Sequence, residues 1–215
     1  MADLTHRVAE CYTGAVHDVL RALGVENCVL PHEIKPIAPG TRLAGPVWTV
    51  SGHIDRTKTR DETLRACCTL LAKAPPRHVI VCQPNTHEIA LMGELSAQTL
   101  KARGVLGYVV DGGSRDTDLV LAQGFPVFCS FLTPADVVER WVADRYGEPV
   151  TIGAVTVTTG DYLLGDRDGV VIIPRVLAEK AVAQAEEVVA TESEMRQALI
   201  NGMDPVEAYN KYGKF

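Results

Sequence analysis

Apolar positions along this chain follow two rhythms, one of alternation or short unbroken runs, the other of repeats every three or four residues. The first rhythm marks strands, because side chains alternate across a sheet. It predicts them at Arg42–Ser51, His78–Cys82, residues 107–110 and Phe125–Phe128. Two or three more, joined by glycine turns, fall in Pro149–Thr158 and Asp161–Pro174, with Asp166–Gly169 as a hairpin turn. The second rhythm predicts amphipathic helices over residues 5–23, with Thr5 as cap and Gly24 as stop, and over Thr59–Lys73, Glu94–Arg103, Asp116–Gln123 and Val176–Ile200. Thr133–Val142 reads as a turn and helix containing Trp141, and Asp204 caps a terminal helix. The prolines between Pro31 and Gly40 mark a connecting loop too short to be a domain linker. Strands alternate with helices in the middle of the chain and cluster toward its end. That order predicts a mixed α/β fold, one domain over residues 1–215 with a helical tail from about 175 to 215.

Composition then removes several classes of function. Hydrophobic residues make up 47% and charged residues 22%, which is ample for one core. A net charge of −6 speaks against nucleic acid as a partner, since phosphate binding needs a basic face. The first residues lack an apolar run, and no stretch nears about eighteen consecutive apolar residues. Neither signal peptide nor membrane span is expected, and the protein is expected in the cytoplasm. Six cysteines, at 11, 28, 67, 68, 82 and 129, form no C-x-x-C pair and read as small buried hydrophobes without a role. The glycine patterns that cradle nucleotides are absent, so no nucleotide cofactor is expected.

Polar chemistry is concentrated in one place. Asp111-Gly112-Gly113-Ser114 follows the 107–110 run and predicts a turn whose glycines take positive φ and leave N–H groups uncovered. Arg115 and Asp116 come next, at the start of a helix and at the carboxyl end of a buried strand, where open α/β sheets place their sites. Upstream, Gly93-Glu94-Leu95-Ser96 opens a helix whose first N–H groups can hold a carboxylate or phosphate. Twenty residues separate Glu94 from Arg115, enough for one helix, one turn and one strand, which returns the chain to the same sheet edge. From the residues alone, Arg115–Asp116 reads equally as an active-site pair or as a helix-start ion pair worth under about 1 kcal/mol. Thr13, His17, Asp18, His53 with Asp55, and His87 are further polar candidates, as are His32 and Glu33 reaching toward a neighbouring subunit. Their ordinary reading is as caps and solvated surface.

These residues carry a family resemblance. Gly-Glu-Leu at 93–95 and Asp-Gly-Gly-Ser-Arg-Asp at 111–116 resemble the RraA-like proteins and the 4-hydroxy-4-methyl-2-oxoglutarate/4-carboxy-4-hydroxy-2-oxoadipate aldolases. The likeness extends through Gly14–Gly24, Gly40–Pro46, Gly165–Pro174 and Glu207–Gly213. Aldolase members have an acidic residue, twenty residues and then Arg-Asp, which Glu94, Arg115 and Asp116 match, with Glu in place of Asp. Leu119 stands where a further acid is often found, with Asp118 one place early.

The resemblance implies a layered α/β/α fold of the swivelling-domain kind, a homotrimer or homohexamer with sites at subunit interfaces, and a small-molecule 2-oxo acid substrate. It implies a class II aldolase that releases pyruvate and can also decarboxylate oxaloacetate. Such cleavage leaves a pyruvate enolate, stabilised either by a Schiff-base lysine or by a divalent metal. Lys101 lies about two helical turns from the anion-holding end, which favours the metal. Asp116 is then the ligand for Mg²⁺ or Mn²⁺, Arg115 holds a substrate oxygen, the N–H groups of Glu94, Leu95 and Ser96 grip the carboxylate, and Glu94 handles the proton. Two alternatives belong to the same resemblance: an RraA-type regulator that binds ribonuclease E without turnover, and a related metal-dependent lyase or decarboxylase on another oxo acid.

Overall fold

In the computed structural model, which describes residues 3–213, the chain opens with α1 (Leu4–Glu10) and α2 (Thr13–Ala22). The single helix expected over residues 5–23 is broken at Cys11 and Tyr12, both of which are extended. The cause lies far along the chain. Asp166 accepts the Thr13 N–H at 2.9 Å and its hydroxyl at 2.8 Å, so a carboxylate from a distant turn begins a second helix. Gly24, at φ 81°, terminates α2 as expected.

The next elements are β1 (Lys35–Pro36), β2 (Leu43–Ile54), α3 (Arg60–Lys73), β3 (Val79–Gln83), β4 (Ala90–Met92), α4 (Glu94–Ala102) and β5 (Gly107–Ser114). They are followed by α5 (Thr117–Gln123), β6 (Val127–Leu132), β7 (Trp141–Tyr146), β8 (Val150–Ile152) and β9 (Val155–Val157). The chain closes with β10 (Tyr162–Asp166), β11 (Gly169–Ile173), one 3₁₀ turn, α6 (Ala178–Ile200) and α7 (Pro205–Tyr212). Among the described residues, no helix is long and apolar enough to cross a membrane.

The main sheet runs β1-β6-β5-β3-β2-β10-β11, with β4 beside β5 and β7 beside the far half of β2. The β2–β3, β3–β5, β4–β5 and β5–β6 pairs are parallel. Long β2 is the hinge of the arrangement: Leu43–Pro46 pair with β10, Val47–Ser51 with β3, and Val50–Ile54 with β7. The sheet curls until Val29, ahead of β1, bridges to Val171 in β11, and it is nearly closed.

Alternation along the strands divides the core. Val47, Val79, Val81, Val109, Phe128, Leu163 and Ile172 point inward, onto Ile152, Val155 and Val157 of the β8–β9 hairpin. Their neighbours Trp48, Ile80, Tyr108, Val110 and Val127 point outward onto Leu70 of α3 and Ala97 and Leu100 of α4. Leu164, Val171 and Ile173 point outward onto α1, α2 and α6 through Val8, Leu20 and Val182. The α/β expectation holds, with helices flanking a sheet that is curled. Of the six cysteines expected to be buried, Cys11, Cys28, Cys82 and Cys129 are, whereas Cys67 is half-buried and Cys68 exposed on α3; burial pushes the Cys82 thiol up to about 12 and the Cys129 thiol up to about 11.

Two local expectations are overturned. Residues 111–114 form no turn, because β5 continues through Ser114, and Gly112 and Gly113 do not take positive φ. Close approach is what requires glycine there: a Cβ on Gly113 would lie 2.7 Å from the Ile89 carbonyl and 2.8 Å from the Phe131 ring. Thr133–Val142 holds no helix. The Thr133 and Asp136 side chains accept the N–H groups two residues on, turning the chain into β7, where Trp141 and Ala143 bury on alternate positions.

Helix α3 begins with a capping box. The Glu62 N–H donates to Thr59 Oγ1 at 3.3 Å, while Glu62 Oε2 accepts the Thr59 N–H at 2.8 Å and hydroxyl at 2.9 Å. These bonds, the backbone one foremost, hold the Glu62 carboxyl below the usual glutamate range. Thr59→Ala is expected to lower stability by about 1 kcal/mol in urea unfolding. The Glu62 share depends on pH. With its folded-state pKa depressed, the contribution is present above the unfolded value and is lost as pH falls through the folded one. Melting temperatures of wild type and Glu62→Gln should therefore converge on acidification; a gap that stays constant would exclude a charged box.

Candidate active site

The ends of β4 and β5 and the start of α4 meet around a cavity of about 390 Å³. The Arg115 N–H donates to the Met92 carbonyl at 2.8 Å, which ties the two strand ends together. Asp116 then takes a left-handed conformation, φ 55°, and its carbonyl accepts the Leu119 and Val120 N–H groups that open α5. Few residues besides Gly, Asn and Asp adopt that backbone readily. It brings the Asp116 carboxylate to α4, where Oδ2 accepts the Glu94 N–H at 3.1 Å and lies 3.5 Å from Arg115 Nε. Gly93 leaves the space for this contact, since a Cβ there would lie 2.8 Å from the same oxygen. Arg115 Nη1 reaches Asp136 Oδ2 at 3.3 Å. Gln123 Nε2, at the end of α5, donates to the Glu94 carbonyl and Oε1, both at 3.3 Å.

All six residues singled out in the sequence, Gly93, Glu94, Leu95, Ser96, Arg115 and Asp116, line this cavity. One detail of the expectation changes. The Glu94 N–H is taken by Asp116, so of the three N–H groups expected to face an anion only those of Leu95 and Ser96 are left, in the first turn of a helix whose N-cap, Gly93, has no side chain to cap it. The other polar candidates are elsewhere. Thr13 is bonded to Asp166, His53 Nδ1 lies 3.1 Å from Asp144, and Asp55 accepts from Thr57. His17 lies 3.4 Å from Asp18, and His32 and Glu33 form an exposed pair. His87 lies 2.9 Å from Asp111, outside the cavity, and Lys101 is bonded to the Gln123 carbonyl. Leu119 is exposed on α5, also outside the cavity.

Sequence reasoning missed Asp136 and the wall formed by α3. Asp136 lay in a segment read as helix. Leu64, Cys67, Cys68 and Leu71 carry the spacing of a single helix face, and that signal was available. Burial raises the Cys67 thiol pKa, Cys68 adds to the rise, and Ser96 and Arg115 pull it back.

A groove of about 580 Å³ among α2, α6 and α7 is larger, but it is a seam between helices and touches no strand end. The 390 Å³ cavity has the convergent groups. Its donor set fits one type of metal ion. Among the described residues no three His, Cys, Asp or Glu side chains are grouped closely enough to hold an ion by themselves. Asp116 and Asp136, each little more than a third exposed and both beside Arg115, suit a hard cation that keeps much of its water shell.

Comparison with known proteins agrees with the motifs. A sequence model of the RraA-like family, described as Aldolase/RraA, matches residues 13–172. DlpA of Legionella pneumophila is 26% identical over 213 residues, which is 99% of this chain but 34% of DlpA, so the chain spans about a third of that relative's length. A protein of Halalkalibacterium halodurans named putative 4-hydroxy-4-methyl-2-oxoglutarate aldolase is 26% identical over 180 residues, 84% of this chain and 82% of its own. The crystal structure of Streptomyces coelicolor RraAS2, described as an unusual member of the RNase ES inhibitor RraA protein family, superposes with a TM-score of 0.81. Its sequence identity is 25%, and the match covers 91% of this chain and 96% of that one. With the family model matched over well more than half its length, the chain belongs to the RraA-like family.

Proposed function

We propose that this protein is a divalent-metal-dependent lyase that cleaves a 4-hydroxy-2-oxo acid to pyruvate and a second carbonyl compound. One observation carries the reading: a guanidinium, the carboxylates of Glu94, Asp116 and Asp136, and the first turn of α4 line the same cavity. Asp116, with Asp136 beside it, would hold Mg²⁺ or Mn²⁺. When bound, the ion supplies Lewis-acid stabilisation of the enolate charge at the 2-oxo oxygen.

The remaining work falls to the chain. The Leu95 and Ser96 N–H groups bind the substrate carboxylate at the positive end of the α4 dipole. Arg115, steadied between Asp116 and Asp136, donates to the C4 oxygen and orients it. The Glu94 carboxylate, held by Gln123, takes the C4 hydroxyl proton through a water molecule. As the C4 carbonyl forms, the C3–C4 bond breaks and its electron pair becomes the enolate. Glu94 then returns the proton to C3, which gives pyruvate. Oxaloacetate decarboxylation passes through the same enolate: C4 leaves as CO₂ with no hydroxyl proton to remove, so that reaction would use the carboxylate-binding N–H groups and a proton delivered to C3, but not the base step.

The test is pyruvate release, coupled to lactate dehydrogenase, from 4-hydroxy-2-oxo acids with and without a second carboxylate and from oxaloacetate. Turnover with Mg²⁺ or Mn²⁺ that EDTA abolishes is the expected result. No metal-dependent release from any of them would overturn the lyase reading and leave binding to a ribonuclease, without catalysis, as the reading to test.

A further inference from the structure

The segment before β7 is tied to its neighbours at both ends. The Ala90 N–H donates to the Ala135 carbonyl at 2.8 Å, and the Asp55 N–H to the Arg140 carbonyl at 2.8 Å. Between these ties run Asp136, Val137, Val138 and Glu139, and the first three line the active-site cavity. Among the described residues, two bonds join that stretch to the rest of the chain. One is the ion pair of Asp136 with Arg115; in the other, the Glu139 N–H donates to Thr63 Oγ1 at 3.1 Å.

Thr63 is suited to that bond by its place on α3. It is 0% exposed, and its hydroxyl faces the Thr59 and Arg60 carbonyls at 3.1 and 3.0 Å. A hydroxyl that donates back to its own helix has a fixed χ1, which leaves a lone pair facing outward. The next residue, Leu64, lines the cavity. Glu139 is strained, since it takes φ 56° without being glycine. Such a backbone persists only where its surroundings hold it. Within the same turn the Val138 N–H donates to Asp136 Oδ1 at 3.1 Å, so the turn and the aspartate are fixed together.

We propose that Thr63 is a positioning residue, whose bond to Glu139 joins the α3 wall of the cavity to the 136–138 wall and aims Asp136 at Arg115. Its role toward a metal ion rests on the lyase reading; the tie itself does not. Without the hydroxyl the Glu139 N–H loses its acceptor, and nothing then opposes relaxation of the strained turn. Asp136 swings away from Arg115 and from the ion that it and Asp116 would share.

The test compares the full chain with Thr63→Val, Thr63→Ser, Glu139→Gly, and Thr63→Val combined with Glu139→Gly. Valine matches the shape of threonine without the hydroxyl, and serine keeps the hydroxyl. Glycine takes φ 56° without strain, so it removes the reason for the turn to relax. Hydrogen exchange across residues 136–141 should quicken in Thr63→Val and stay at the wild-type rate in Thr63→Ser. Mn²⁺ affinity, read by electron paramagnetic resonance on metal-stripped protein, should fall about tenfold in Thr63→Val. It should stay within about twofold of wild type in Thr63→Ser and in Glu139→Gly, and the double variant should recover most of the loss. A role in packing alone would lower the melting temperature of Thr63→Val and leave Mn²⁺ affinity unmoved, which overturns the proposal. So does a double variant that binds Mn²⁺ no better than Thr63→Val. Pyruvate release separates this proposal from the lyase. The expected affinities without turnover of any 4-hydroxy-2-oxo acid or oxaloacetate would keep the positioning role and remove the lyase. Metal-dependent turnover that Thr63→Val leaves at the wild-type rate would keep the lyase and remove the positioning role. A wild-type protein that binds no Mn²⁺ would remove both.

Discussion

Asp116→Asn is expected to cut pyruvate release on the order of a thousandfold, the scale of losing a metal ligand and its transition-state charge, while leaving the protein folded. Asparagine is the informative substitution because of the backbone. At φ 55° residue 116 sits where Asn and Asp are tolerated and most others are strained. An amide oxygen can still accept the Glu94 N–H that now binds Oδ2, so the junction of α4 and α5 survives. What disappears is the charge. Asp116→Ala removes both charge and acceptor and adds left-handed strain of about 1 kcal/mol, so its melting temperature should fall where that of the asparagine variant does not. Kinetics of both variants beside thermal melts decide the matter. Should Asp116→Asn keep more than about a tenth of wild-type kcat/KM, the carboxylate is an ordinary helix-start acid and the metal assignment is wrong.

Arg115→Lys is expected to lose about a hundredfold in kcat/KM despite keeping the positive charge. The guanidinium reaches Asp116 through Nε and Asp136 through Nη1, at 3.5 and 3.3 Å, and still has donors left for a substrate oxygen. An ammonium is a compact charge that cannot span both carboxylates and also keep a fixed direction toward a third group. Arg115→Ala should cost more, about a thousandfold, because both carboxylates then lose the cation they share. If the role is binding alone, saturating substrate will restore kcat in the lysine variant and the loss will lie in KM. If Arg115 stabilises charge at the C4 oxygen as the bond breaks, kcat itself falls. Wild-type kinetics in the lysine variant would show that only the charge matters.

How much of this was legible before the structure depended on distance along the chain. Glu94, Arg115 and Asp116 could be grouped because a helix, a turn and a strand between them return the chain to one sheet edge. The structure forms that crossover, with Ala90 in β4 paired to Gly113 in β5. Helices α3, α4, α5 and α6 were legible from periodicity, and the Asp166–Gly169 hairpin from its turn residues. What escaped was set by distant partners. The break at Cys11–Tyr12 follows from Asp166 capping Thr13, a contact with no local signature. Gly112 and Gly113 suggested a turn because glycine permits one, whereas here Gly112 permits the close passage of Pro84 and Leu91, and Gly113 that of Ile89 and Phe131. Trp141 was assigned to a helix because its alternation with Ala143 is too short a pattern to show which face β2 would cover. Asp136 was lost with that segment, although its ion pair with Arg115 completes the site.

The division of strand residues between inner and outer cores bears on how such a protein can change over evolutionary time. Closure of the sheet rests on the inward set, from Val47 and Val109 to Phe128 and Leu163, and the cavity wall rests on the outward set beneath α3 and α4. Substitutions without shared neighbours have nearly independent energetic effects. The cavity wall at Leu64 and Leu71 can thus be rebuilt without loosening the residues that hold the sheet curled. The pleat of each strand insulates novelty on one side from integrity on the other, and a lineage built on this scaffold can diversify its pockets while its curled sheet stays the same.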